Sequence, residues 1–327
     1  MTVTVLAGGV GAARFLRGLR EVVDHTSITA VVNVADDEVI CGLSISPDVD
    51  TVVYTCAGAI DAERGWGLAD ESWRAMEGLQ RFAASAGQDD IGWFNLGDRD
   101  LGTHMYRSAR LQAGATLTEV TAELARAWDL GMTVLPVSDD PIATRVATET
   151  DGELAFQEYF VRHHHDVAAT AVRFDGVERA RPAPGVLEAV ATADVVVIAP
   201  SNPIVSIGPV LAVPGVREEV TRRRDRTVAV SPIVGGAALK GPADRLMAEL
   251  GLESSVVGVA RRYREVASVL VVDEVDAALA DAVEAEGMRC VVTPTVMAQP
   301  GVAASLARVC LASVGAGASG ADGVEPS

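Results

Sequence analysis

Lysine is nearly absent from this chain: Lys240 is the one lysine among 27 basic residues, and arginine supplies the rest. Positive charge as a whole is scarce, because 45 acidic residues leave a formal net charge of −18 over 327 residues. That imbalance argues against general nucleic-acid binding, which needs a basic face against the phosphate backbone. Cysteine is rare and dispersed. Cys41, Cys56, Cys290 and Cys310 form no CxxC pair, so neither a disulfide framework nor a zinc knuckle is expected, and a reducing cytoplasm fits. No apolar run approaches the roughly 18 residues that a membrane-crossing helix needs, so no membrane partner is expected. The opening MTVTVLAGGV passes from strand to glycine turn without a basic leader or a cleavage signal, so no signal peptide is expected. Internal repeats are also missing.

What remains is an ordinary globular composition, 49 % hydrophobic and 22 % charged. A strand over 2–7, a glycine turn, a helix over 12–23 and a strand over 28–34 ending in Asp36 and Asp37 form the start of a parallel α/β sheet. Regularity fades over 38–114 apart from a helix over 69–84, and a further helix is predicted over 117–130 with Thr118 as its cap. Three β-rich pieces, MTVLPVS, IATRVATET and ELAFQEYFVR, read as antiparallel ribbons with a turn at Asp151 and Gly152. After Pro184 the α/β rhythm resumes, with strands over 195–199, 227–231, 268–272 and 289–293 and helices over 217–223, 243–250 and 275–286. The expected fold is α/β, Rossmann-like and doubly wound, with a mainly parallel sheet built from 1–54 and 131–314. A mostly helical subdomain over 55–130 is inserted, and a disordered tail occupies 315–327.

Four segments carry candidate chemistry. In LAGGVGAARFLRGL, Gly8, Gly9 and Gly11 follow a strand and open a helix whose amides favour an anion. Arg14 stands where a dinucleotide fingerprint has its third glycine, while Asp36 and Asp37 end the second strand, where a ribose ligand is expected; an NAD-linked oxidoreductase stays open as an alternative. Asp36, Asp37, Asp48, Asp50, Asp61, Asp98 and Asp100 form a set of carboxylates suited to Mg²⁺, although turns also favour aspartate. APSNPIVSIGPVL and SPIVGGAALKGP place Ser201, Asn202, Ser206, Ser231, Gly235, Gly236 and Lys240 after apolar strands, where backbone amides and a compact ammonium hold phosphate oxygens. Three such loops on one sheet edge point to a polyphosphorylated nucleotide without selecting its base. In WFNLGDRDLGTHMYR, Trp93, Phe94 and Tyr106 suit stacking on a flat heterocycle, and His104 and Arg107 suit contact with a hydroxyl or phosphate; core packing is the competing role for each aromatic. His163, His164 and His165, read as a strand, alternate faces and cannot close around one ion. Arg222, Arg223, Arg224 and Arg226 end a helix, where cations complement the dipole on a solvated face.

Taken together, LAGGVGAARFLRGL, NVADDEVICGLSISPDVDTVVYTCAG, WFNLGDRDLGTHMYR, APSNPIVSIGPVL and SPIVGGAALKGPAD resemble the 2-phospholactate transferase family, in order and over residues 2–311. The resemblance implies an Mg²⁺-dependent enzyme of coenzyme F-420 biosynthesis, active as a homodimer. It implies transfer of enolpyruvyl phosphate or 2-phospho-L-lactate from a guanosine diphosphate donor to the terminal ribityl hydroxyl of the deazaflavin alcohol Fo, with release of GMP. The arginine-rich composition favours the actinobacterial branch, whose donor is the enolpyruvyl form and whose product is the dehydro compound. On this resemblance Asp50 and His104 are the expected catalytic residues, and Asp37, Asp48, Asp50 and Asp61 the metal ligands. Trp93, Phe94, Asp98 and Thr103 would seat the deazaflavin, with Gly8, Gly9, Gly11, Ala12, Asp36 and the loop residues through Lys240 holding the nucleotide. A related family of non-catalytic nucleotide-sugar-binding regulators shares the GG turn and the ADD segment. There ADD runs into a glycine- and serine-rich stretch, whereas this chain reads ADDEVICGLSISPDVDT.

Overall fold

The computed structural model describes residues 1–88, 91–163 and 166–314. Its centre is a parallel seven-stranded sheet in the order Arg289–Val292, Val269–Val272, Thr227–Val230, Val195–Ile198, Val3–Ala7, Ile28–Val32 and Thr133–Pro136. The inner strands VTVLA, VVVI, TVAV and VLVV are buried throughout, as strands covered by helices on both faces must be. Val3–Ala7 pairs with Ile28–Val32 on one side and with Val195–Ile198 on the other. The chain therefore winds outward in both directions from that strand, and a crevice opens beyond its carboxyl end.

Four sequence expectations need correction. MTVLPVS forms no ribbon; its strand Thr133–Pro136 extends the central sheet, parallel to Ile28–Val32. ELAFQEYFVR forms only a short strand, Glu153–Ala155, which pairs antiparallel with Ala143–Thr148, itself paired with Ala169–Asp175; the rest turns into one wide helical turn, Glu158–Arg162. His163 closes that turn rather than extending a strand, while His164, His165 and the tail 315–327 lie outside the described residues. The helix Leu117–Ala127 is capped by Thr116 in a capping box with Glu119, because the backbone N–H and hydroxyl of Thr118 both donate to Asp139.

The stretch read as irregular contains two helices that matter most. Pro47–Cys56 is rich in β-branched residues and carries no polar face, so neither propensity nor amphipathic periodicity betrays it. Pro47 at its start and Asp48 and Asp50 in its first turn nonetheless favour a helix N-terminus. Asp100–Gln112 is started by Glu71, whose carboxylate accepts from the backbone N–H groups of Arg99 and Asp100. A small second core of Ile40, Ile45, Met76 and Leu96 lies apart from the main one. Among the described residues no helix is long and apolar enough to cross a membrane.

Candidate active site

A cleft of about 640 Å³ opens at the crevice beyond the first strand. Its walls include Gly8, Gly9, Gly11, Asp36, Asp48, Asp50, Phe94, His104, Ser201, Asn202, Ser206, Ser231 and Lys240, which the sequence reading singled out from five separated segments. The glycines are there because neighbours leave no room. A methyl group on Gly11 would sit 2.0 Å from the Pro200 carbonyl oxygen, and one on Gly8 would sit 2.8 Å from both the Ser206 Cβ and a carboxylate oxygen of Asp48. The helix Gly9–Leu19 begins in the glycine turn itself, three residues earlier than expected.

Beside that turn lies an acidic shelf. Asp48 Oδ1 accepts from the Gly9 N–H at 2.8 Å, and its Oδ2 accepts from Asn33 Nδ2 at 2.9 Å. The same Asn33 amide donates to Asp36 Oδ2 at 3.2 Å, so one buried asparagine ties two carboxylates together. Asp37 accepts from the Ser46 hydroxyl at 2.6 Å, but its Oδ1 is buried with no partner among the described residues. Burial pushes the Asp48 carboxyl up to about 6. Burial and the charge of Asp48 push Asp36 well above the usual carboxylate range, and burial does the same to Asp37. Hard oxygen donors that are crowded and short of positive charge fit a divalent cation. Among the described residues no three acidic, cysteine or histidine groups already form a cage.

A second charged group sits between the two facing helices. Asp50 and Tyr54 lie one turn apart on Pro47–Cys56, while Asp100, His104 and Arg107 share a face of Asp100–Gln112. Arg107 is fully buried and holds both Asp50 oxygens with its two terminal nitrogens. Its Nη1 also lies 3.4 Å from His104 Nδ1. Arginine can only donate, so this contact makes Nδ1 the acceptor and puts the His104 proton on Nε2, which lies 3.3 Å from Asp100 Oδ2. The Tyr54 hydroxyl donates to Asp100 Oδ1 at 2.6 Å. Burial, then the charges of Asp50 and Asp100, hold the Tyr54 phenol far above its ordinary value. Against burial, hydrogen bonds and charge from His104, together with the Tyr54 hydroxyl, keep Asp100 below its own. Asp50, Tyr54, Asp100 and His104 all reach the cleft wall.

Other candidates are placed elsewhere. Asp61 is spent on the turn that follows it: it accepts from the backbone N–H groups of Glu63 and Arg64 and pairs with the Arg64 side chain. Asp98 caps the helix Arg74–Ala86 through Arg74 N and Ala75 N and accepts from the Ser72 hydroxyl. Trp93 packs edge-on to Phe94 and lines a separate surface cavity of about 430 Å³ with Ile40 and Leu79. Tyr106 points away to Glu123, and Arg107 is locked on Asp50 rather than open to a phosphate. Ala12 and Thr103 are buried off the cleft wall. Gly235 and Gly236 make the positive-φ turn of the hairpin Ile233–Val234/Ala237–Ala238, where the Gly235 N–H donates to Asp276.

The sequence reading missed Asn33 and Tyr54, took Arg14 only as a departure from the dinucleotide fingerprint, and also missed the stacked pair Phe156 and Phe160, whose rings lie 5.6 Å apart on the cleft wall. The i, i+4, i+7 spacing of Asp100, His104 and Arg107 would have revealed a helical face. Lys240 is exposed at the cleft mouth and reaches the turn 61–67: a methyl on Gly65 would stand 2.8 Å from its Nζ. Arg64 on that turn lies 5.3 Å from the ring centres of both Trp66 and Trp73.

Comparison with known proteins gives this geometry a family. The model of the family described as 2-phospho-L-lactate transferase CofD matches residues 3–309. A phosphoenolpyruvate transferase of Streptomyces griseus subsp. griseus is 46 % identical over 315 residues, covering 95 % of this chain and 98 % of that protein. Those of Mycobacterium sp. (strain JLS) and Nocardia farcinica are 42 % and 39 % identical, each over 94 % of this chain and over 97 % and 93 % of their own lengths. The crystal structure of protein BH3568 from Bacillus halodurans superposes with a TM-score of 0.61 at 21 % identity, covering 95 % of this chain and 99 % of that one. A second crystal structure of the same BH3568 protein, there described as a member of the UPF0052 family, gives 0.60 at 19 % identity over the same shares. At that identity the structures speak for the α/β fold alone, whereas the sequence matches run nearly end to end. The chain is a transferase and belongs to the 2-phospho-L-lactate transferase CofD family.

Proposed function

We propose that the chain transfers enolpyruvyl phosphate, or 2-phospho-L-lactate, from a guanosine diphosphate donor to the terminal ribityl hydroxyl of Fo, releasing GMP in coenzyme F-420 biosynthesis. The observation that carries this reading is the mixed lining of one cleft. It offers the glycine turn, Ser201, Asn202 and Lys240 to phosphates, and Phe94, Phe156 and Phe160 to a flat ring. Phosphoryl-type transfer needs positioning and charge neutralisation more than covalent chemistry. Asp50, fixed by Arg107, and His104, whose Nε2 lies 3.3 Å from Asp100 Oδ2, would orient the acceptor hydroxyl. Asp36, Asp37 and Asp48 would hold Mg²⁺, which would neutralise charge on the donor phosphates. Asp61 is no longer part of that set, because its oxygens are already engaged.

The test is product mass after mixing the protein with Fo, Mg²⁺ and each guanylated donor. The expected result is a donor-dependent mass increase on Fo with stoichiometric GMP, and a preference for the enolpyruvyl donor, the substrate that the names of the curated relatives suggest. No mass change with either donor, while Fo and GDP both bind, would leave a binding protein instead. Lys240→Ala is expected to raise the donor KM about tenfold with kcat within twofold, as loss of one exposed charge contact to phosphate. An unchanged donor KM would return Lys240 to an ordinary solvated side chain.

A further inference from the structure

We propose that Arg14 is a receptor for an oxyanion of the guanylated donor, supported by Ser201 Oγ and Asn202 Nδ2. This rests on the donor reading above and extends it to a residue that reading does not use. Arg14 lines the cleft half-buried, yet it makes no hydrogen bond, ion pair or ring contact with any described residue. The other cleft guanidinium, on Arg64, is committed to Asp61, the Leu68 carbonyl and two tryptophan rings. In a chain with 45 acidic residues, a cation that lies in a cleft and pairs with none of them is one kept available.

The neighbouring loop supplies the second observation. Ser201 is only 4 % exposed, and its hydroxyl is buried with no partner among the described residues. Asn202 spends its carbonyl oxygen on the backbone N–H groups of Ile204 and Val205, and its amide nitrogen is buried without a partner among the described residues. Orphaned buried donors of this kind cost free energy unless something accepts from them. Gly11 presses this loop onto the helix Gly9–Leu19 through the Pro200 carbonyl, and Arg14 lies one turn further along the same helix face. Helical side chains lean back toward the N-terminus, so the guanidinium reaches toward the glycine turn. There the first amide, that of Gly9, is already taken by Asp48. An anion at this turn therefore meets a carboxylate as well as amide dipoles, and a fixed guanidinium offsets that repulsion. Three donor side chains without acceptors, on two elements held together by a close glycine contact, make a receptor for a phosphate or a carboxylate oxygen set.

Calorimetric titration of wild type and Arg14→Gln with GDP, and with guanosine diphosphate bearing the three-carbon acid, in the absence of Fo, tests the claim and separates the two oxyanions. Weakening of both ligands by about tenfold or more assigns the phosphates to Arg14; weakening of the acid-bearing donor alone assigns its carboxylate. Unchanged affinity for both overturns the proposal. Arg17→Gln, an exposed charge on the same helix, should leave both affinities as they are. If wild type binds neither guanylated ligand, the donor reading fails. Inorganic pyrophosphate then still reads the oxyanion claim, since it should bind wild type and be weakened in Arg14→Gln, and equal or absent binding overturns it.

Discussion

Asp50→Asn should lower turnover by about a hundredfold or more and should also lower the melting temperature. The first effect follows from the role proposed for Asp50 at the acceptor hydroxyl, where a preorganised charge is worth roughly two to three orders of magnitude in kcat. The second follows from Arg107. Its guanidinium is fully buried and bonds both Asp50 oxygens, so the asparagine leaves a permanent charge short of its partner. Breaking one side of a buried pair costs about 3–5 kcal/mol. The two effects are separable. In the double variant Asp50→Leu with Arg107→Met neither member of the pair is left stranded, and exchanging a buried ion pair for apolar side chains is often neutral. Recovery of the melting temperature without recovery of kcat, measured with Fo and donor saturating, places Asp50 in the chemistry. Turnover that returns together with stability would make the pair a structural strut and nothing more.

Such coupling was invisible in the sequence, and the reason is physical. Strand and glycine-turn chemistry is local, so VTVLAGG, VVVIAPSN and TVAVSPIVGG could be read residue by residue, and their loops do meet in one cleft. Within that set only the terminal residues moved by more than a position or two, as with the helix that starts at Gly9. The acceptor side is different, because it is built by tertiary packing. PDVDTVVYTC is a helix buried on nearly every side, with the β-branched composition of a strand. WFNLGDRDLGTHMYR reads as one binding segment, yet its residues are divided among four tasks. Trp93 faces another cavity, Phe94 the cleft, Asp98 a helix end and Arg107 the core. Proximity in sequence ranks these residues equally; the packing of the loop before Asp100–Gln112, and the faces of that helix, sort them. Asn33 escaped notice for a related reason. It ends an apolar strand and looks like a turn residue, but its amide is what joins Asp36 to Asp48.

The acidic shelf leads to the second large effect. With no cation bound, folding stability should fall as pH rises through about 6, the value to which burial lifts the Asp48 carboxyl from its ordinary 3.8. The sign follows from proton counting. In that window the folded chain holds protons on Asp48, Asp36 and Asp37 that the unfolded chain has released, so raising the pH favours unfolding. Stability from this source is complete below the ordinary carboxylate range and gone above the raised one. For Asp48 alone a rise of that size corresponds to about 3 kcal/mol as an upper bound. Carboxylates held low elsewhere, Asp100 among them, act in the opposite direction, so the quantity to measure is the difference between wild type and a variant. Asp48→Asn removes the titrating group and should flatten the fall between pH 4 and pH 7, on the order of the same few kcal/mol. It will also carry a cost that does not change with pH, because its new amide faces the Asn33 amide that donates to Asp48 now. Millimolar Mg²⁺ at neutral pH should raise the melting temperature of wild type and do so far less for Asp48→Asn, since a ligand stabilises only the state that binds it. Parallel pH profiles for the two proteins, with equal responses to Mg²⁺, would take Asp48 out of the cation site and leave its carboxylate as the cap on Gly9.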